Sequence, residues 1–424
     1  MTYVYVLNNK GKPLMPCSPT KARKLLNQNK AKVKKRTPFT IQLLYNSKNY
    51  TQPIMLGIDA GSKTVGISAS TNKQELFAAE MKPRNDIVDK LSTRRELRSS
   101  RRNRKTRYRP ARFNNRKKSK PTGWIAPSIQ VKIQEHVTAI KHVCSILPIT
   151  KVIVETAEFD TQRLKALDNN TPLPIGTDYQ LDEMYDWYNV RQYVLHRDGY
   201  KCRKCGKHKD IKFHVHHLES RKTGSNRPAN LITLCEDCHE KLHKGLITLD
   251  KLKKPKSYRD AAFMCIMRKS LLARLQTELD APVIETKGYI TKFTRENILR
   301  LPKTHTNDAL SISQGLLGFD RSVNPYTTRT DRTYTIKPVR HHNRQLHKAN
   351  FKKGGKRPTN QAPKYVFGFQ LFDKVKYNGQ ECFITGRRSR GYFMLKDIDN
   401  KTIATDSKYT KLKLLEKSTN YIIQ

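Results

Sequence analysis

The sequence predicts an α/β chain of several domains, and three observations predict it. Short Val- and Ile-rich runs alternate with helical stretches in both halves of the chain. Two CxxC knuckles bracket a compact unit near the middle. Residues 365–415 alternate apolar and polar side chains between hairpin turns. At ~150 residues per domain, 424 residues allow two to four domains. Lys plus Arg number 84 against 36 Asp plus Glu, a formal net charge of +48. That excess excludes an ordinary enzyme of small molecules, because the compact chain would repel itself unless a polyanion neutralised it. Nucleic acid is the expected partner, with an anionic membrane surface as the alternative. No apolar run approaches the ~18 residues of a membrane span. Met1 to Lys10 lacks the basic and apolar regions of a signal peptide, so a cytoplasmic chain is expected. Of eight cysteines, four form the CxxC pairs and Cys17, Cys144, Cys265 and Cys382 are scattered, as in a reducing compartment with one metal site.

In chain order, residues 1–52 read as a small basic module. Val4 to Leu7 is a strand, Pro13-Leu14-Met15-Pro16 a turn, and Lys21 to Asn29 a helix capped by Thr20; Ile41 to Tyr45 is a second strand. In residues 53–83, the run Ile54 to Asp59 ends in an acid, Gly61-Ser62 turns, and Val65 to Ala69 returns. Residues 84–122 are extremely basic. From Arg94 to Lys120 there are fourteen Lys or Arg against one acid, Glu96, and residues 85–109 contain neither Gly nor Pro, which favours a helix. In residues 123–181, Ser128 to Leu147 has helical periodicity, Lys151 to Glu155 is a strand ending in an acid, and Pro172 to Gly176 is a linker. Residues 182–250 stand apart as the metal-bearing unit. Residues 251–322 hold a helix from Tyr258 to Leu279, a strand from Val283 to Thr286 and a helix beginning at Asn307. In residues 323–424, the Pro-, Arg- and His-bearing stretch 325–363 is expected to order on a partner. Residues 365–415 read as a small antiparallel barrel with turns at Asn378-Gly379 and Asp399-Asn400.

Cys202-Arg203-Lys204-Cys205 and Cys235-Glu236-Asp237-Cys238 supply four thiolates, which suits one structural tetrahedral Zn2+. The gap of 29 residues between them implies a folded insert. That insert carries His214-Val215-His216-His217 and Asn230, and His239 follows the last cysteine. This pattern resembles the HNH endonucleases, whose ββα-metal fold is a hairpin and a helix around one catalytic metal. The resemblance implies that His217 is the general base, that His216 and His239 are ligands of one Mg2+, and that Asn230 orients the loop. The residue types fit the chemistry, since phosphodiester hydrolysis needs a deprotonated water in line and a cation on the phosphate. A His at the first ligand position, where relatives often carry Asp, lowers the charge of the site. Further zinc ligation or plain surface exposure is the competing reading of these histidines; His214 and His243 read as supporting or surface residues.

Three acids remain, Asp59, Glu155 and Asp308. The first two end apolar runs, and His305 and Asp308 share a helix face at i, i+3. Converging carboxylates can hold two divalent cations around a scissile phosphate. Gly57-Ile58-Asp59-Ala60-Gly61-Ser62-Lys63, Val154-Glu155 and His305-Thr306-Asn307-Asp308-Ala309 resemble the three segments of a RuvC nuclease. That is an RNase H-like fold with a five-stranded mixed sheet. With the HNH unit inserted before the third segment and a basic helix before the second, the layout resembles the CRISPR type II effectors and, more closely, the IscB family. Pro13-Leu14-Met15-Pro16 and Arg101-Arg102-Asn103-Arg104-Lys105 match the short motifs of that family. The resemblance implies Asp59, Glu155, His305 and Asp308 as a RuvC site with two Mg2+, beside the HNH site. It also implies a structured guide RNA, a double-stranded DNA target with a short adjacent motif, and a monomeric ribonucleoprotein without a membrane. HNH would cut the guide-paired strand and RuvC the displaced one.

Arg94, Arg95, Arg98, Arg101, Arg102, Arg104, Arg107 and Arg109 would form a bridge helix gripping RNA phosphates. Tyr108, Phe113 and Trp124 are available to stack or pack. Arg387, Arg388 and Arg390, with Tyr392, sit on a C-terminal hairpin placed to touch the motif beside the target. Two other functions are compatible with this composition. One is a homing-type HNH DNA endonuclease guided by protein alone; the other is a non-catalytic RNA-binding protein.

Overall fold

The computed structural model describes residues 2–102, 124–156, 190–209, 211–219, 228–249, 259–315, 328–340 and 363–424. They cluster into two compact units, one formed by Met1–Ala157 with Phe263–Gln424 and the other by Glu158–Ala262. Arg104, Arg107, Arg109, Tyr108, Phe113 and the 172–176 linker lie outside the described residues.

The first unit begins with a four-stranded sheet of order β2-β1-β4-β3. Its strands are β1 (Val4–Leu7), β2 (Pro13–Cys17), β3 (Ala31–Lys35) and β4 (Thr40–Leu43). The Pro13-Leu14-Met15-Pro16 segment is therefore a strand and not a turn. It lies at the sheet edge, where the missing N–H of proline breaks no ladder. Helix α1 (Pro19–Asn27) starts earlier than expected, because Ser18 and not Thr20 caps it: Ser18 Oγ accepts from Lys21 N at 3.3 Å and Pro19 takes the first turn. The Lys-rich β3 was invisible as a strand, since its side chains are mostly exposed on the opposite edge.

The centre of this unit is a seven-stranded mixed sheet of order β11-β8-β5-β6-β7-β12-β18. Strands β5 (Met55–Asp59), β6 (Val65–Ser70) and β7 (Glu75–Met81) form an antiparallel meander. On its other side β8 (Lys151–Glu155) and β11 (Val283–Thr286) add in parallel. Five strands were expected. The other two come from the C-terminal region, where β12 (Thr333–Pro338) runs parallel to β7 and β18 (Tyr421–Ile423) closes the edge. Residues 333–338 thus order on the chain's own sheet, and not on a partner, because Tyr334 and Ile336 bury against it.

Strand alternation decides which side chains meet which helices. Leu56, Ile58, Val152 and Val154 point to one face, where the helix Pro127–Cys144 contributes Ile129, Ile133, Val137, Ile140 and Val143 at helical spacing. The long helix Arg259–Glu278 adds Met267, Leu271 and Leu275 to the same core. Met55 and Ile153 point to the other face and meet Ile312, which lies on the helix His305–Ser313. That helix lies almost on the strands. A Cβ at Gly66 would fall 1.8 Å from His305 O, and one at Gly57 would fall 2.2 Å from Ala309 O. Only glycine admits so close an approach. Ser70 and Ser313 complete the contact through a hydroxyl–hydroxyl bond of 2.8 Å.

The C-terminal sheet comprises β13 (Lys374–Tyr377), β14 (Gln380–Arg388), β15 (Tyr392–Lys396), β16 (Thr402–Lys408) and β17 (Lys413–Glu416). Its order is β16-β15-β14-β13-β17, so β16 and β17 are edges and no ladder among the described residues closes the expected barrel. Register shifts in β14, β15 and β16 bend it around Val375, Cys382, Ile384, Phe393 and Leu395. Buried Lys374 ties it to the first sheet, donating to Thr37 Oγ1 (3.1 Å) and pairing with Glu381 (2.7 Å).

In the second unit, β9 (Phe213–His217) and β10 (Leu231–Cys235) form an antiparallel hairpin, with Ile232 facing His216. The helices Val190–Arg197 and Glu236–His243 flank it. No helix among the described residues is long and apolar enough to cross a membrane.

Candidate active sites

The acids of the first site are placed by the sheet. Asp59 and Glu155 end adjacent parallel strands, one step past the pair Ile58 and Val154. By alternation both share the face of Met55 and Ile153, which is the face covered by the helix His305–Ser313. Asp308 lies in the first turn of that helix, which Thr304 caps through Asn307 N at 3.1 Å. His305 Nδ1 donates to Asp59 Oδ2 at 2.6 Å, a partner 246 residues away. This bond raises the pKa of His305. Burial raises the pKa of Glu155, and the charges of Asp59 and Asp308 push it in the same direction. Glu155 therefore senses both of the other carboxylates. The three carboxylates do not bring their oxygens all within 4.8 Å of one another, whereas the sulfurs and nitrogens of two other clusters among the described residues do lie that close. Asp308 Oδ1 instead accepts from Arg295 Nη1 at 2.6 Å. Arg268 Nε donates to Ala60 O (3.1 Å) beside Asp59, and His136, held neutral by burial with its pKa lowered to about 4, stands near the same carboxylate. Arg268, Arg295 and His136 were not singled out in the sequence. Their approach depends on tertiary packing that no local spacing reveals.

The second unit holds both clusters of potential ligand atoms within 4.8 Å. One is Cys202, Cys205, Cys235 and Cys238. Cys205 Sγ and Cys235 Sγ are 3.7 Å apart, too far for a disulfide. Four sulfurs about 2.3 Å from one tetrahedral ion stand about 3.8 Å from each other, so the thiols fit Zn2+.

The other cluster is His216, His239 and His243. His239 and His243 share one face of their helix at i, i+4, and their Nε2 atoms are 3.2 Å apart. Nitrogens about 2.0–2.1 Å from a tetrahedral ion are about 3.3 Å apart, so this set also fits a metal. His216 reaches it from β9, with ring centroids 5.4 Å and 5.3 Å from those of His239 and His243. Burial, and then the neighbouring imidazoles His239, His243 and His217, lower the pKa of His216 to about 4, which keeps it neutral for ligation. His243, expected as a supporting residue, thus joins the candidate ligands; its i, i+4 spacing from His239 was the available signal. His214 stacks on His239 at 4.9 Å. His217 is the next residue after His216 and is not in the cluster. Asn230 pins the chain that follows it, accepting from Glu219 N at 2.8 Å and donating to Glu219 O at 3.1 Å.

Residues 202–245 match the HNH endonuclease family. The chain carries an HNH endonuclease domain. Residues 4–173 match the family described as RRXRR protein. No curated protein matches the chain. Among solved structures, Streptococcus thermophilus Cas9 in complex with the GGAA PAM is 14% identical, with a TM-score of 0.35 over 54% of this chain and 30% of that one. The same protein with the AGAA PAM is 14% identical, with a TM-score of 0.30 over 44% and 26%. The chain spans about a quarter to a third of the length of these Cas9 structures.

Three imidazoles without a carboxylate suit a borderline transition cation better than the Mg2+ that the sequence resemblance implies for the HNH site. Replacing His243 with Ala is expected to weaken Co2+ or Mn2+ binding at the histidine cluster on the order of 100-fold, at or beyond the cost of losing an outer-sphere partner. Titration calorimetry of the zinc-loaded full chain, with His216→Ala as reference for the cluster's share, measures it. An unchanged affinity would return His243 to a surface role.

The expected nucleic-acid contacts are partly described. Arg94, Arg95 and Arg98 are exposed on the helix Ile87–Arg102, which also includes Arg101 and Arg102. Arg388 and Arg390 are exposed at the β14–β15 hairpin, with Arg388 paired to Asp406, while Arg387 is half-buried. Trp124 is 44% exposed.

Proposed function

We propose that the chain is an RNA-guided DNA endonuclease of the IscB kind, with a HNH site for the guide-paired strand and a RuvC-like carboxylate site for the displaced strand. The observation that carries this reading is the interruption of one sheet by the HNH-bearing unit. The chain leaves the sheet after Glu155, passes through that unit, and returns as β11 beside β8 before supplying Asp308. The meander β5-β6-β7 followed by parallel β8 and β11 has the strand order of an RNase H-like sheet. The charge of +48 and the exposed arginines of the basic helix support a polyanionic partner.

The chain's own residues divide the work. Divalent cations, when bound, neutralise the scissile phosphate and lower the pKa of a bound water. In the HNH site, His216, His239 and His243 would hold one such ion, and His217, outside that cluster, would take the proton of the attacking water. Asn230 fixes the loop that follows His217. In the carboxylate site Asp59, Glu155 and Asp308 would hold two Mg2+, being hard oxygen donors. His305 orients the Asp59 carboxylate and is placed to move a proton beside it.

The guide separates this reading from a homing-type HNH endonuclease. Chain purified at high salt is expected to carry one defined RNA species with a variable end, and ribonuclease treatment is expected to abolish cleavage. Full activity after ribonuclease, with no RNA recovered by sequencing, would instead establish a protein-guided enzyme.

A further inference from the structure

Arg295 lies on a π-helical turn, Thr294–Ile298, just before the segment that carries the carboxylate site. Such turns are rare and recur at functional positions. Arg295 is 6% exposed. Nη1 donates to Asp308 Oδ1 and Nη2 to Glu296 Oε1, each at 2.6 Å, while Nε is buried with no hydrogen-bond partner. Glu296 itself is about half exposed.

Three convergent carboxylates need compensating charge whenever no divalent cation is bound. Arg268 lies at the same site, donating to Ala60 O and lowering the pKa of Glu155 by its charge, and Arg295 bonds the Asp308 carboxylate directly. A guanidinium cannot be neutralised by losing a proton. It can release Asp308 only by moving, and Glu296 offers a second anchor, so the displaced charge is not stranded. The unpartnered Nε shows that the fork is only partly used in this arrangement.

We propose that Arg295 is the resident counter-ion of the carboxylate site: it holds Asp308 when the site carries no divalent cation, and yields Oδ1 as a cation enters. Its pairing then sets the cation concentration at which the site fills, because the two positive groups compete for one oxygen. This rests on the reading of Asp59, Glu155 and Asp308 as a cation site.

The test is Mn2+ titration calorimetry on the zinc-loaded full chain, with the share lost in Asp59→Ala assigned to this site. Arg295→Gln is expected to bind that share roughly tenfold more tightly, the scale of one charge-assisted hydrogen bond no longer surrendered. The same variant is expected to unfold at a lower temperature in chelator, and added Mn2+ should restore the loss. Glu296→Gln removes the second anchor and should weaken binding about threefold, the scale of a partly exposed ion pair. Unchanged or weaker binding in Arg295→Gln overturns the proposal. If that variant does not fold, unchanged or tighter binding in Glu296→Gln overturns it. A wild-type chain with no Asp59-dependent Mn2+ site overturns the cation-site reading itself, and the counter-ion role with it.

Discussion

A His217→Ala chain, loaded with guide, is expected to leave the guide-paired DNA strand intact while still nicking the displaced strand; Asp59→Ala is expected to do the reverse. The reason is that the residues proposed for each site fall within one unit. Every residue assigned to the histidine site falls within Glu158–Ala262, and every acid of the other site falls outside it. His217 is outside the ligand cluster, so its removal takes away the proposed proton acceptor and leaves the candidate ligands His216, His239 and His243 in place. Loss of a general base costs about 10²–10⁴ in rate. Asp59 is both a candidate cation ligand and the partner of His305, so its loss removes charge and orientation together. End-labelled strands of one duplex, cleaved at saturating guide and followed separately, measure both effects. If either substitution abolishes both cuts equally, the two-site reading is wrong.

Cys235→Ser is expected to release the zinc and unfold the hairpin unit while the seven-stranded sheet stays folded. The core cluster around the knuckles consists of Cys202, Ile232, Leu234, Cys235 and Cys238, three of them thiols. Without metal, a handful of aliphatic side chains, Val194, Leu195, Leu231, Ile232 and Leu234 among the described residues, and their half-buried neighbours must hold the unit alone. Structural zinc contributes apparent binding energies of about 10–16 kcal/mol in small domains, far more than such a core supplies. Cys235 has a second task. Its sulfur caps the helix Glu236–His243 by accepting from Cys238 N at 3.5 Å. That helix presents His239 and His243, so the knuckle also aims the histidine cluster. Serine is itself a good cap, which makes this substitution selective for the lost thiolate. Zinc stoichiometry should fall by one equivalent, and limited proteolysis should open within residues 190–249. Displaced-strand nicking should persist. Retained zinc and protease resistance would show that the four thiols are not the staple.

Some of this was legible in residue order alone and some was not. Asp59 and Glu155 could be found because each closes an apolar run, and parallel pairing turns two such ends into one rim. The cysteines could be found because CxxC spacing is itself a chelate geometry. His243 was within reach, four residues after His239 on a helix, but a surface histidine near a metal site looks the same until the hairpin supplies His216. Arg295 was out of reach, since its value lies in a π-helical turn and in a partner that the intervening chain folds back to meet. Strand β2 was misread because its prolines signal a turn unless the strand is known to be an edge. Strand β12 was misread because polar flanks concealed the burial of Tyr334 and Ile336.

The bond between His305 and Asp59 spans 246 residues, and that separation orders events on the ribosome. At roughly 5–20 residues per second, about 12–50 s pass between synthesis of the two partners. The hairpin with its thiols and imidazoles emerges wholly inside that interval. A nascent chain can therefore fold its thiol- and imidazole-bearing module first, and the carboxylates come together only when translation has delivered the helix that rests on Gly57 and Gly66.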